Sequence, residues 1–391
     1  MTRYNFDEII ERFGTNCIKH DFKRGYFGTD DIIPMWVADM DFRTPDFIMK
    51  AIRDRTQHEI LGYTGRSDGF YQSIIDWYKR RQNWKIETDW IVFTPGIVPA
   101  LHFAVGAYTS PGDKVIIQPP VYHPFISVVK GNQRVLLNNP LILNNGRYCM
   151  DLDNLKKQLD DRVKLILLCH PHNPVGRIWS PEELSELANI CLERNIMIVS
   201  DEIHSDIILP GQKHIPLAAI SPAFSEISVT CVAPSKTFNI AGLSTSVVVI
   251  PDTDKRKIFY HEIETAHLWG GNIFGNIALE AAYRNGDEWV DQLNQYLLGN
   301  FKFLDTYLKQ FIPEIKLIWP EATYLAWLDM HGLNLDDTAL KDFMIYKAKL
   351  GCNHGPSFGK GGEGFQRMNI ACPGAMLEKS LDHLKNAVNN L

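Results

Sequence analysis

Several features that would mark a chain for a special environment are missing here. No apolar run approaches the roughly 18 residues needed for a membrane-crossing helix, and the first residues, MTRYNFDEIIERFG, are polar and acidic where a secretory leader would need an apolar core. Basic residues are in the minority: 40 Lys and Arg against 46 Asp and Glu leave a net charge of -6 with no basic block, which argues against nucleic acid as a partner. The seven cysteines are scattered, odd in number and without CxxC spacing. They outline neither a disulfide framework nor a zinc site, and read as small buried residues. Repeats, low-complexity tracts and Pro/Gly/Ser-rich linkers are also lacking, so any second domain is packed closely against the first. The expectation is a cytoplasmic protein with no membrane or nucleic-acid partner and no metal.

What is present is ordinary globular material, 45% hydrophobic and 22% charged, in a chain of 391 residues. That length exceeds what one core usually serves and predicts two domains, or one domain with an appendage. The first 50 or so residues read as irregular. From there to about residue 250, apolar runs of strand length alternate with helical stretches, the pattern of a mostly parallel sheet covered by helices. The clearest unit is KLILLCHPHNPVGRIWSPEELSELANICLERNIMIVSDEIHSDIIL, residues 164 to 209. Lys164 to Cys169 reads as a strand and HNPVG as a loop. Ser180, Pro181 and Glu183 are the N-cap, first-turn proline and capping box of a helix, and Ile196 to Ser200 is the next strand. An earlier unit repeats the pattern, with a strand Ile91 to Thr94, a Pro-Gly turn and a helix from Ile97 to Tyr108. Beyond residue 250 the chain reads as helical to about Gln310. Strands in LIWP, TYLAWLD and GFQRMNIA and a helix from Thr338 to Leu350 complete the expectation.

Parallel sheets bind ligands beyond the carboxyl ends of their strands. Four residues fall there: Gly96, Asn173, Asp201 and Lys236. Each has a plain explanation by itself: a tight turn, a turn former, a cap, an exposed cation. Lys236, however, stands in the gap between two buried strands, ISVTCVA and STSVVVI, in the string SKTFNIAGL. One ligand accounts for all four. Pyridoxal 5'-phosphate (PLP) carries an aldehyde that needs an amine, a ring nitrogen that needs an anion, a ring oxygen that needs a donor, and a phosphate that needs N–H groups of the kind Gly96, Ile97 and Val98 present at a helix start.

With HNPVG (172–176), SDEIH (200–204) and SKTFN (235–239) in this order, the sequence resembles the fold-type I PLP enzymes of the aminotransferase class I/II superfamily over nearly its whole length. The resemblance implies an α/β fold: a large domain (51–287) with a seven-stranded, mostly parallel sheet that holds the cofactor, a smaller α+β domain (288–391), and an N-terminal arm (1–50) that shares in the small domain. It implies that Lys236 carries the cofactor through its aldehyde, Asp201 pairs with the ring nitrogen and Asn173 bonds the ring oxygen. Tyr122, in PPVYHPF, stands where the family stacks an aromatic on the ring. Tyr63, in LGYTG, resembles the tyrosine that reaches the phosphate of a neighbouring subunit, making the active unit a homodimer. Arg367, whose plain alternative is surface or salt-bridge duty, matches the arginine that grips the substrate carboxylate through two parallel hydrogen bonds.

PMWVADMDF (34–42), PEATYLAWLDM (320–330) and FGKGGEGFQRMNIACP (358–373) resemble the MalY/PatB-type cystathionine beta-lyases, also called cysteine-S-conjugate beta-lyases. His204 stands where many aminotransferases have a tyrosine. Ser244 replaces their frequent phosphate-binding arginine and Ala233 a common serine, which shifts the phosphate onto the Gly96 turn, Ser235 and Tyr63. WVADMDF reads either as a packed arm between domains or as a pocket wall, with Ala38 against substrate. The expected reaction is α,β-elimination from a small amino-acid thioether. An aminotransferase of aromatic or neutral amino acids and a regulatory, partner-binding protein are the alternatives.

Overall fold

A computed structural model describes residues 3–391 of the 391-residue chain. Its centre is a seven-stranded sheet in the order Ile91–Thr94, Ser246–Val249, Ser228–Val232, Met197–Asp201, Val163–Cys169, Lys114–Ile117, Val135–Asn138. From Ser228–Val232 to Val135–Asn138 all neighbours are parallel, whereas Ser246–Val249 runs against both of its neighbours. The sheet is thus mostly parallel, as expected, with one reversal. That reversal lets the chain leave Val232, pass through the lysine loop and re-enter the sheet at Ser246 with no crossover helix between.

The strands read as continuous apolar runs because helices cover both faces of the sheet. Helix Ile97–Tyr108 buries Ile97, Ala100, Leu101, Ala104 and Val105, one face at helical spacing, against the sheet. Each Leu, Ile or Val so buried contributes roughly 1.5–3 kcal/mol. The capping box of helix Pro181–Glu193 is formed in full. Ser180 Oγ accepts the Glu183 N–H at 3.2 Å, and Glu183 Oε2 accepts the Ser180 N–H at 2.8 Å.

The HNPVG loop before that helix is sewn to the chain 145 residues on. Gly176 (φ +70°) lies so close to Pro320 that a Cβ there would stand 2.5 Å from the proline Cβ. Its carbonyl accepts the N–H groups of Glu321 and Ala322. Buried Arg177 then bridges Glu183 at 2.7 Å and Glu321 at 2.6 Å.

A second, antiparallel sheet follows in the order Lys316–Ile318, Leu325–Asp329, Phe365–Asn369, Asn353–His354. Two expectations are corrected in this half of the molecule. The first 50 residues are not irregular throughout: they hold short helices at Ile18–Asp21 and Lys23–Phe27 and the start of helix Asp46–Thr56, and Ile33–Pro34 pairs in parallel with Leu350–Gly351. The helix expected from Thr338 to Leu350 runs only from Asp337 to Asp342, then widens into a turn over Phe343–Lys347 in which the Ala348 N–H reaches back five residues to Phe343. Lys349 adopts a left-handed φ of 53°, which stops the helix, and Lys349 and Gly351 instead offer their carbonyls to Ile33 and Met35. Among the described residues, no helix is long and apolar enough to cross a membrane.

Candidate active site

Strand register assembles the site. Cys169 pairs with Asp201, and Asp201 with Cys231, so three strand ends form one row at the carboxyl edge of the sheet. Asn173 and Lys236 lie just beyond this row, on the loops that leave it. On the other side, Thr94 pairs with Ser246 and Val232 with Val247, which brings the Gly96 turn beside the lysine loop. Gly96 has φ 139°, a conformation that side chains other than hydrogen resist, and it opens helix Ile97–Tyr108 with its first N–H groups lacking intrahelical partners.

Two cavities meet at Lys236. The smaller, about 220 Å³, is lined by Gly96, Ile97, Val98 and Ser235 at one end and by Asn173, Asp201 and His204 at the other. The larger, about 500 Å³, is lined by Arg367 together with Phe27, Trp36, Met344 and Cys352. Ala38, Tyr122 and Lys236 border both. Every site residue expected from the sequence is therefore brought together except Tyr63. It stands fully exposed, at 107% relative accessibility, on the loop between helices Asp46–Thr56 and Asp68–Gln82 and lines neither cavity.

The charges are set by burial. Lys236 is pushed down to about 8, first by desolvation and then by the Arg367 cation, while Asp39 and Asp201 pull the other way. Its Nζ donates to the Ala38 carbonyl at 2.6 Å. Asp201 is pushed up to about 7 by burial, against the Ile203 N–H that it accepts at 3.2 Å and the charge of Lys236. His204 is driven down to about 3 by burial and by the cations of Lys236 and Arg367, and its Nδ1 has no partner.

Arg367 is 3% exposed, and among the described residues no carboxylate pairs with it. Its guanidinium donates to Asn173 Oδ1 (2.9 Å), the Trp36 carbonyl (3.1 Å) and Asn353 Oδ1 (2.6 Å), and lies over the Phe358 ring. Nε is unpartnered, and burial lowers the group to about 10. A guanidinium held in this way by neutral groups alone is costly unless an anion joins it. Because Asn173 spends its oxygen on Arg367, the amide NH₂ is what it has left to donate. The Tyr122 N–H donates to the Asn173 carbonyl at 3.0 Å, which ties the stacking candidate to the same loop.

Sequence reasoning missed Asn353, which sets Arg367, and Tyr324, whose hydroxyl donates to the Ala38 carbonyl at 2.9 Å. Asn353 lies in no quoted motif and Tyr324 lies in PEATYLAWLDM without having been singled out; only the second sheet brings them to the site. Within WVADMDF, Met40 is core, and Trp36, Val37 and Ala38 line the larger cavity.

Residues 30–384 match the family model for aminotransferase class I and II. The chain belongs to this family. Cystathionine beta-lyase PatB of Bacillus subtilis (strain 168) is 45% identical over 98% of this chain and 100% of its own. The PLP-bound C-S lyase of Staphylococcus hominis superposes with a TM-score of 0.93 at 36% identity, covering 99% of this chain and 98% of that one. A PLP-bound protein of Clostridium difficile 630, provisionally described as an aminotransferase, superposes with a TM-score of 0.98 at 45% identity, covering 99% of this chain and 100% of that one.

Proposed function

We propose that this chain is a PLP-dependent carbon-sulfur β-lyase that cleaves cystathionine and related cysteine S-conjugates. The overall reaction consumes one water and converts the thioether amino acid to a thiol, pyruvate and ammonium. The observation that carries the reading is the pairing at one junction of a lysine of lowered basicity with a buried arginine that, among the described residues, no carboxylate pairs with.

The smaller cavity fits the cofactor. Its Asp201 end offers an enclosed acid to a ring nitrogen, the Asn173 amide offers a donor, Tyr122 offers a ring face, and the Gly96–Val98 helix start with Ser235 offers N–H and hydroxyl groups to a phosphate. His204 lines that cavity as a neutral imidazole. When bound, the cofactor supplies an aldehyde that captures the substrate amine and an electron-poor ring that accepts the charge left by proton removal. Lys236 holds it, and once free its Nζ takes the proton from the substrate α-carbon, a general-base role typically worth ~10²- to 10⁴-fold. Arg367 grips the α-carboxylate, Ala38 borders the reacting carbons, and the larger cavity takes the sulfur substituent.

We further infer a homodimer, with a smaller domain of residues 288–391 and part of 1–50 beside a large domain of 51–287. Ile60, Leu61 and Tyr63 are exposed on one loop and Leu268 and Trp269 on another, and Arg66 ties the two loops by donating to the Trp269 and Gly270 carbonyls. A second copy covering these apolar side chains would complete the phosphate end of the site. The seven free cysteines suit the reducing cytoplasm.

The test is incubation of the PLP-loaded protein with L-cystathionine and no keto acid. Pyruvate and ammonia in equal yield support the lyase, and turnover that needs an added keto acid sinks it in favour of transamination.

A further inference from the structure

Segment Trp36–Phe42 is held carbonyl by carbonyl. Arg367 bonds the Trp36 oxygen, Asn369 those of Val37 and Asp39, Lys236 and Tyr324 that of Ala38, Arg12 and Asn239 that of Met40, and Asn239 that of Phe42. Its two carboxylates are pinned as well. Arg12 reaches Asp39 and Asp41 at 2.6 Å each, and fully buried Lys19 reaches Asp41 at 2.5 Å and Asp39 at 3.8 Å. Met40 and Phe42 anchor the segment in the core, and these polar bonds fix its backbone in addition.

We propose that Trp36–Phe42 is a positioning strap for Lys236, in which the Ala38 carbonyl, shared with Tyr324 and flanked by the Arg12–Lys19–Asp39–Asp41 cluster, docks and aims the lysine amine whenever it is free. This rests on the reading of Lys236 as the base. A carbonyl oxygen has two lone pairs, and here Tyr324 and Lys236 each donate to one of them. A neutral amine that donates one hydrogen to Ala38 has its own lone pair directed away from that oxygen, into the junction that Tyr122 and Arg367 border. Tyr324 and Asp39 are thus positioning residues.

The groups that face the amine are Asp201 and His204 from the Met197–Asp201 strand end, Arg367 from the second sheet, Tyr122, Tyr324, and Asp39 from the strap. Asp201 and Arg367 have other duties, and His204 is neutral. Asp39, although held by Arg12 and approached by Lys19, is therefore the strap's charge that acts on the lysine, and it favours the protonated form. The Tyr324 hydroxyl acts in the opposite direction by drawing on the same carbonyl oxygen.

The two roles give opposite signs. Competitive acetylation of Lys236 in the cofactor-free chain, read by mass spectrometry of its peptide across the alkaline range, should show Asp39→Asn lowering the titration midpoint by roughly half a pH unit. Tyr324→Phe should raise it. In the PLP-loaded enzyme the acid limb of the kcat profile should move with the same signs, with KM for a cysteine thioether within about twofold of the parent. Unchanged midpoints, or shifts of one sign in both variants, overturn the strap. If Tyr324→Phe does not fold, Asp39→Asn alone decides, since the parent midpoint then contradicts the proposal. Because the labelling needs no turnover, a wrong assignment of the reaction would leave its result intact.

Discussion

The two cavities that meet at Lys236 are built in different ways. The smaller is made by strand ends of one parallel sheet, with short, strongly typed motifs delivering its groups to a common edge in register. The larger is made by pieces that are far apart in the chain, namely the Lys23–Phe27 helix, the strap at Trp36, the wide turn at Phe343–Lys347 and the strand holding Arg367. On the function proposed above, the first sets the kind of chemistry and the second selects what undergoes it. A substitution in the first should therefore remove activity, and one in the second should redistribute it.

The largest effect is expected at the junction. Lys236→Ala should abolish the absorbance of the bound cofactor and lower turnover by at least ~10²- to 10⁴-fold. Retention of a bound chromophore together with full turnover would break the division at its root. Next comes Asp201→Asn, which leaves the shape of the smaller cavity and removes its acid. Turnover on cystathionine should fall by about 10²-fold, the scale of a lost charge-stabilising group in a dry site, with KM changed much less. Steady-state kinetics separate the two quantities. A change confined to KM would place Asp201 on the substrate side.

Most of the smaller cavity was legible in the sequence because its geometry is local. A strand, a turn and a helix start fix Gly96, Asn173 and Asp201 within a few residues of their strand ends, and parallel register then aligns them without further information. The larger cavity was legible only at Arg367 and in the WVADMDF string. Asn353 carries no local signal, Tyr324 lies in PEATYLAWLDM with nothing in the string to mark its role, and only the fold sets Lys19 beside Asp41. The expected helix over 338–350 failed for the same reason. Its apolar spacing is helical, yet the strand pairing of Leu350–Gly351 with Ile33–Pro34 overrides local preference.

Arg367 belongs to the larger cavity but touches the smaller one through Asn173, so its loss should fall between the extremes. Arg367→Lys keeps the charge and loses the planar fork. It should raise KM for every amino-acid substrate by about tenfold or more, the loss of one charge-assisted bond, while kcat falls less. Equal loss in kcat and kcat/KM would instead mean that the arginine acts mainly by holding Asn173.

The smallest effect, and the sharpest test of the comparison, concerns the far wall. Met344 is 2% exposed, lines the larger cavity and sits on the turn where the helix widens to five-residue spacing. Met344→Ala opens room there without touching Lys236, Asp201 or Arg367. It should also destabilise the fold by about 2–5 kcal/mol, because a buried methionine leaves a cavity behind. The assay must therefore be run well below the unfolding midpoint of the variant. Under those conditions kcat/KM for a bulky S-benzyl cysteine should rise against that for S-methylcysteine by about 3- to 10-fold, the range that a few methylene-sized contacts provide. Turnover of S-methylcysteine itself should stay within about twofold. If stability falls and the ratio does not move, Met344 is core alone, and the selecting wall must be sought on the Phe27 and Trp36 side of the cavity.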